Sequence, residues 1–193
     1  MEFYKNSGYT AEEVALAARL GTRYCAFTGS VSHACEAAFR ALCAPMLGER
    51  AILPFDEVIL SAACDHALVA AVKACGALPV FVDAGADGSI DVTRLESALS
   101  PRTRAVAAQH MGHLFDVKSV RNFCNKYDLW MIEHAASLLG EPYDFDGTIY
   151  GAGTVGDVGV SYFSEHVPGG GVVLTRDTTL ASLVREARAT LLA

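Results

Sequence analysis

The sequence lacks any excess of positive charge. Its 193 residues contain 15 Lys and Arg against 22 Asp and Glu, which gives a formal net charge of -7, and the basic residues are scattered along the chain. A phosphate backbone or an anionic membrane repels such a surface. We therefore expect neither a nucleic-acid partner nor a membrane partner.

Long apolar runs and a secretory leader are also lacking. No stretch approaches the roughly 18 apolar residues of a membrane span, and the start, MEFYKNSGYT, has no basic segment followed by an apolar one. The six cysteines include no C-x-x-C pair, so we interpret them as reduced thiols and not as a disulfide scaffold. Together these absences predict a cytoplasmic protein.

Apolar residues, by contrast, make up 52% of the chain, enough to bury a full core. Apolar runs such as EVILSAA (57–63) and LWMIE (129–133) alternate with amphipathic segments, the first of which opens with the capping box TAEE (10–13). This order predicts an α/β fold, a mostly parallel sheet with helices on both faces. We expect one domain over residues 1–193.

Three segments carry more local predictions. Asp91 is expected to cap a helix that continues to about Leu99, and the Gly- and Asp-rich stretch 143–156 is expected to be a loop. The runs VGVSYF and GVVLT, joined by SEHVPGGG, predict a hairpin or a tight loop.

All six histidines follow the carboxyl end of a predicted strand, where ligands bind in open α/β sheets. Neutral imidazoles that converge beside carboxylates suit zinc or iron better than magnesium or calcium. The pattern therefore predicts a histidine-rich site at one edge of the sheet, formed by His33, His66, His110, His113, His134 and His166.

Longer stretches resemble a known family. VILSAACDHALVAAVKACGALPVFVDA, DVTRLESALSPRTRAV and FDVKSVRNFCNKYDLWMIEHAASLLG are similar to the large domain of the sugar aminotransferase and dehydratase family of the DegT–StrS type. This family has the aspartate-aminotransferase fold of fold-type-I pyridoxal phosphate (PLP) enzymes. APMLGERAI and FCNKYDLWMIE most resemble its nucleotide-sugar 3-dehydratases, which use pyridoxamine phosphate (PMP) without a Schiff-base lysine. The resemblance runs from about Leu20 to Arg188, and we expect a truncated chain without the C-terminal small domain.

The resemblance also implies roles for single positions. Gly29 and Ser30 match the turn that binds the cofactor phosphate at a helix N-terminus, and Ser161 matches a serine that adds a phosphate contact. His166 occupies the place of the cofactor lysine, as in the 3-dehydratases. His134 replaces the aspartate that pairs with the pyridine nitrogen.

The ring-stacking aromatic residue of the family falls at Asp65, which cannot stack. With this change and His134, we expect that PLP and PMP are no longer used. A small-molecule biosynthetic enzyme is predicted instead, with zinc or iron held by four imidazoles and with Asp65 and Glu165 as catalytic carboxylates beside His134 and His166. The predicted metal ligands are His66, His110, His134 and His166, and the predicted substrate contacts are His33 and His113.

Three alternatives remain open. The first is a metal-free lyase, isomerase or cyclase in which histidines and carboxylates act as acid and base. The second is a PMP-dependent sugar 3-dehydratase, and the third is a non-catalytic partner of a full-length relative. The metal reading itself covers a lyase, an isomerase or an oxygenase. The resemblance implies a sugar-like substrate and a homodimer with its site at the interface.

Overall fold

The computed structural model describes residues 8–165 and 169–191. Helices and strands alternate along most of this part of the chain. Their bounds are α1 (Ala11–Leu20), β1 (Tyr24–Thr28), α2 (Val31–Leu42), β2 (Glu57–Ser61), α3 (His66–Ala74), β3 (Leu78–Val82), β4 (Thr103–Gln109), α4 (Val117–Lys126), β5 (Trp130–Ala136), β6 (Pro142–Phe145), β7 (Thr148–Gly151), β8 (Val158–Tyr162), β9 (Gly171–Thr175) and α5 (Thr178–Leu191).

Seven strands form the main sheet, in the order β1-β9-β8-β5-β4-β2-β3. Strands β3, β2, β4, β5 and β8 pair in parallel, whereas β9 runs antiparallel to both β8 and β1. The mostly parallel sheet predicted from the sequence is therefore confirmed. The antiparallel pairing of β8 with β9 also confirms the predicted hairpin.

Helices cover both faces of this sheet, and the alternation of strand residues shows which face each helix covers. Ile132 packs in a core with α2, α3 and α5, whereas its neighbour Met131 packs against α4 on the other face. In β9, Val173 faces the α2 side, while Val172 and Leu174 pack with α1. Because both faces are covered, the central strands are apolar on both sides and read as continuous apolar runs.

The first helix follows the predicted capping box. The Thr10 hydroxyl accepts the Glu13 N–H, the Glu13 carboxylate accepts the Thr10 N–H, and Gly21 ends the helix in the left-handed conformation. No helix in residues 8–165 and 169–191 is long and apolar enough to cross a membrane.

Two local predictions are wrong. Residues Val92–Arg94 and Glu96–Ala98 form two short 3-10 turns instead of one helix, because the Asp91 carboxylate binds both the N–H and the hydroxyl of Thr93 and tightens the first turn. The expected loop at 143–156 contains the hairpin of β6 and β7. Asp146 and Gly147, both with positive φ, form its turn, and an Asp-Gly pair is a known hairpin signal.

One buried carboxylate ties the segment after β7 to the central strand β5. Glu133 is fully buried and accepts the N–H groups of Gly153, Val155 and Gly156 at 2.7 to 2.9 Å. It also lies 3.0 Å from Nε2 of His110, which is fully buried too. The three backbone N–H groups of this segment therefore share the Glu133 carboxylate as their acceptor.

We predict that Glu133→Ala strongly destabilises the protein, because three backbone N–H groups and His110 lose their acceptor inside the core. The expected loss in the free energy of unfolding is about 3 to 5 kcal/mol. Urea denaturation followed by circular dichroism measures it. As the control, Glu141→Ala removes an exposed carboxylate and should change stability by about 0.5 kcal/mol or less. Equal effects of the two variants would contradict the role given to Glu133.

Candidate functional site

The candidate site lies at the carboxyl ends of β1, β5 and β8, next to the N-termini of α2 and α3. His134 is near the end of β5, where it pairs in register with Gln109 of β4 and Val160 of β8. Successive side chains of a strand point to opposite faces, so His134 faces the α2 and α3 side while Glu133 faces away from it. The site is thus built against the helix N-termini.

The hydrogen bonds of His134 define its tautomer. The ring is fully buried, and Nδ1 accepts the N–H of Ala136 at 3.1 Å. The ring proton therefore resides on Nε2, a buried atom with no hydrogen-bond partner in the part of the chain that the structure describes. Ala136 adopts a φ of +51°, a left-handed conformation that turns its N–H back toward the imidazole.

Burial controls the charge of His134. It lowers the pKa from 6.5 to about 4, although the negative charge of Asp65 acts in the opposite direction. The imidazole is consequently neutral at physiological pH. It offers a buried N–H donor and carries no positive charge.

Asp65 is the N-cap of α3, and both oxygens of its carboxylate already accept hydrogen bonds. Its carboxylate accepts the Ala67 N–H at 2.9 Å and the Tyr162 hydroxyl at 2.5 Å. Partial burial raises the pKa of this carboxyl, but these hydrogen bonds and the neighbouring His134 outweigh burial and hold the pKa below its usual value. The Tyr162 ring packs edge-to-face against the imidazole of His134 at 5.7 Å between centroids.

A turn at the end of β1 resembles an anion cradle. Ser30 caps α2 by accepting the His33 N–H at 3.1 Å, and the Thr28 hydroxyl donates to the Ser30 carbonyl. The first N–H groups of a helix have no partner within the helix and favour anions. Gly171 permits the close approach of β9, since a Cβ atom there would lie 2.5 Å from the Ser30 carbonyl oxygen.

Two further polar side chains are found at this edge of the sheet. Ser161 is fully buried, and its hydroxyl donates to the Ala136 carbonyl at 2.7 Å, which ties β8 to the irregular end of β5. His33 presents a buried Nδ1 atom without a hydrogen-bond partner in the described ranges, and a Cβ atom on Gly29 would lie 3.4 Å from it. Ser161 thus lies on β8, which β9 separates from the strand that leads into the turn at Gly29 and Ser30.

Among the predicted metal ligands, His110 and His66 do not join His134. The Nδ1 atom of His110 accepts the Phe115 N–H at 3.2 Å while Nε2 faces Glu133, so both ring nitrogens already have partners. His66 points into solvent, with 94% of its side chain exposed and Nδ1 only 3.1 Å from the Asp65 carboxylate. Satisfied or solvated imidazoles of this kind do not converge on an ion.

The remaining predicted residues are also apart from His134. His113 lies 3.0 Å from the carboxylate of Asp87, and Glu165 is exposed and forms an ion pair with Arg19. The catalytic role of Glu165 stays a prediction. His166 lies outside the described residues.

The sequence reasoning missed Tyr162 and Ala136. Alternation along β8 places Tyr162 on the same face as Val160, the register partner of His134, so strand periodicity could have identified it. The left-handed backbone of Ala136 has no signal in the sequence, because alanine normally avoids that conformation.

Comparison with known proteins places these features in a family. Residues 5–190 match the DegT/DnrJ/EryC1/StrS aminotransferase family. The chain belongs to this family. It is 35% identical over 175 residues to the lipopolysaccharide biosynthesis protein RfbH of Salmonella typhimurium, a match that covers 88% of this chain and 39% of the relative.

Two further relatives show the same partial coverage. The dTDP-4-dehydro-2,6-dideoxy-D-glucose 3-dehydratase of Saccharopolyspora spinosa is 31% identical over 87% of this chain and 37% of its own length. The solved GDP-4-keto-6-deoxy-D-mannose-3-dehydratase of E. coli with bound hydrated PLP superposes with a TM-score of 0.76 at 22% identity, over 90% of this chain and 44% of that one. The fold is thus the large domain of fold-type-I enzymes, and the chain spans less than half the length of these relatives.

The expectation of zinc or iron in place of vitamin B6 is wrong. The family is an aminotransferase family, and the E. coli structure contains PLP. Within residues 8–165 and 169–191, no group of three or more His, Cys, Asp or Glu side chains could hold a metal ion. Of the histidines that the structure describes, His33 and His66 lie in the first turns of α2 and α3, His110 follows β4, and His134 lies near the end of β5, but their rings point to different partners.

The residues present fit a B6 phosphate in two respects. The turn at Gly29 and Ser30 offers helix N–H groups to a phosphate, and His134 holds a buried, unpartnered donor that can meet a ring nitrogen with a free lone pair. The fit is poorer at Asp65, whose carboxylate cannot stack on the cofactor ring as an aromatic side chain would.

We predict that His134 makes the protein less stable in acid. Its folded pKa of about 4 lies below the ordinary 6.5, so between these values only the unfolded chain binds the proton. Stability should therefore fall as pH falls from 7.5 to 5, by about 2 kcal/mol from this residue. Urea titrations at several pH values measure the slope.

In His134→Asn the contribution of His134 to the pH dependence of stability should disappear. The control His113→Asn should keep this contribution, because it leaves His134 in place and changes a partly exposed histidine. An unchanged slope in His134→Asn would show that the imidazole is not held neutral.

Proposed function

We propose that this chain is the cofactor-binding part of a nucleotide-sugar biosynthetic enzyme that uses PMP, and that its reaction is the dehydration of a 4-keto sugar at C3, in which the C3 hydroxyl takes up a proton and leaves as water. The observation that supports this reading most is that no lysine in residues 8–165 and 169–191 lies at the strand ends that form the site. Of the lysines in the described ranges, Lys118 and Lys126 pair with Asp146 and Glu96, and Lys73 lies on the exposed last turn of α3.

An enzyme that holds PLP through an internal Schiff base needs a lysine at the cofactor. This sequence has His166 at the position that the resemblance gives to that lysine. A non-covalently held PMP requires no such bond, which agrees with the 3-dehydratase named among the relatives. Because the matched family is an aminotransferase family, the assay below distinguishes dehydration from transamination.

Each residue of the site has a role in this proposal. The N–H groups at the start of α2, next to Gly29 and Ser30, would hold the phosphate, and Ser161 would be a further donor if its hydroxyl turned from Ala136. His134 would donate to the ring nitrogen. When bound, such a cofactor supplies a primary amine and an electron-withdrawing ring.

His166 is proposed as the general acid and base that takes up and returns a proton during the reaction of the bound sugar, since an imidazole exchanges protons near neutral pH. Asp65 and Tyr162, hydrogen-bonded to each other, border the ring of His134 and limit its contact with water.

We predict that the protein binds PMP and that Gly29→Asp weakens binding at least tenfold, about 1.4 kcal/mol, because a carboxylate then faces the phosphate. Isothermal titration calorimetry measures this. The control Ser182→Asp adds the same charge on exposed α5 and should bind normally. Pyridoxamine, which lacks the phosphate, should bind both variants equally weakly. Failure of the wild-type protein to bind PMP would refute the proposed function.

The reaction is tested with a nucleotide-activated 4-keto-6-deoxyhexose in the presence of PMP. Mass spectrometry should detect loss of the C3 hydroxyl, whereas an amino sugar formed with glutamate as the donor would indicate a transaminase. Turnover without any B6 compound would favour the metal-free acid-base alternative.

Light scattering on the same sample should give twice the 20.4 kDa chain mass, since we also propose a homodimer.

A further inference from the structure

An unusual atom in the site is Nε2 of His134. It is buried and has no hydrogen-bond partner in the part of the chain that the structure describes. An unpaired polar atom in the interior is unfavourable, because it has lost its hydrogen bonds to water without gaining a partner. We propose that this N–H group donates a hydrogen bond to the ring nitrogen of a bound B6 phosphate and holds that nitrogen unprotonated. This inference rests on the proposed function.

The backbone makes the donor role obligatory. The N–H of Ala136 occupies Nδ1, so a neutral ring carries its proton on Nε2. To accept a hydrogen bond at Nε2 instead, the ring would move its proton to Nδ1, where it would face the Ala136 N–H. That arrangement sets two donors against each other and loses the existing hydrogen bond.

A doubly protonated ring is also disfavoured. The ring is buried, and the carboxylate of Asp65 is already engaged by the Ala67 N–H and the Tyr162 hydroxyl. A charged imidazolium would keep both donors and still could not accept. In each accessible state, His134 therefore presents a proton to its ligand at Nε2.

A pyridine nitrogen has a single lone pair. It accepts a hydrogen bond when unprotonated and donates one when protonated, so a donor at Nε2 selects the unprotonated form. The aspartate that the resemblance places here selects the opposite form. An unprotonated ring withdraws electrons less strongly, so His134 weakens the ring as an electron sink.

Tyr162 packs edge-to-face against the imidazole of His134, and 45% of the residue is exposed. In this proposal, the Tyr162 side chain turns toward solvent as a ligand ring enters. Its hydroxyl then leaves the Asp65 carboxylate, whose other oxygen remains bound to the Ala67 N–H. Capping of α3 is thereby retained during ligand entry.

The test is the 15N NMR chemical shift of PMP labelled at the ring nitrogen and bound to the protein. In the wild-type protein the resonance should lie in the range of a hydrogen-bonded neutral pyridine. In His134→Asp it should move upfield to the pyridinium range, because the carboxylate accepts a hydrogen bond from the protonated ring nitrogen and stabilises that form. The control His113→Asn changes another histidine near the strand ends and should leave the shift unchanged.

His134→Gln places an amide donor near the position of Nε2 and should retain the neutral shift, which preserves the test if His134→Asp fails to fold. A pyridinium shift in the wild-type protein would overturn this inference and leave the proposed function intact. Absence of PMP binding to the wild-type protein would overturn both.

Discussion

The burial of Glu133 is the constraint on which the site depends. Its carboxylate gathers the N–H groups of Gly153, Val155 and Gly156 and lies against His110, so the middle of β5 cannot rotate or slip without losing several hydrogen bonds at once. Side chains of a strand alternate between faces. With Glu133 committed to one face, His134 is committed to the other, toward the N-termini of α2 and α3.

The end of β5 then determines the chemistry of that histidine. Ala136 turns into the left-handed conformation and directs its N–H to Nδ1, while the Ser161 hydroxyl holds the Ala136 carbonyl. The imidazole becomes a neutral donor at Nε2, where the family resemblance implies a carboxylate acceptor. One substitution thus reverses the direction of a hydrogen bond without loss of the fold.

Much of the architecture could be predicted from the sequence, because apolar runs, caps and glycine stops are local features. The parallel sheet, the capping box at Thr10 and the antiparallel end of the sheet are examples. That the described histidines lie at or near the carboxyl ends of strands was also predictable. The direction of each ring was not, because it depends on distant partners: Phe115 and Glu133 satisfy His110, and His66 turns to solvent. The prediction of a metal failed for this reason.

The central claim is that the turn at Gly29 and Ser30 and the Nε2 donor of His134 together hold a B6 phosphate. A crystal structure of the protein grown with PMP tests it most directly. We expect the phosphate at the N-terminus of α2 and the ring nitrogen within about 3.0 Å of His134 Nε2, the usual donor to acceptor distance. A cofactor bound elsewhere, or an anomalous metal signal at His134, would contradict the account.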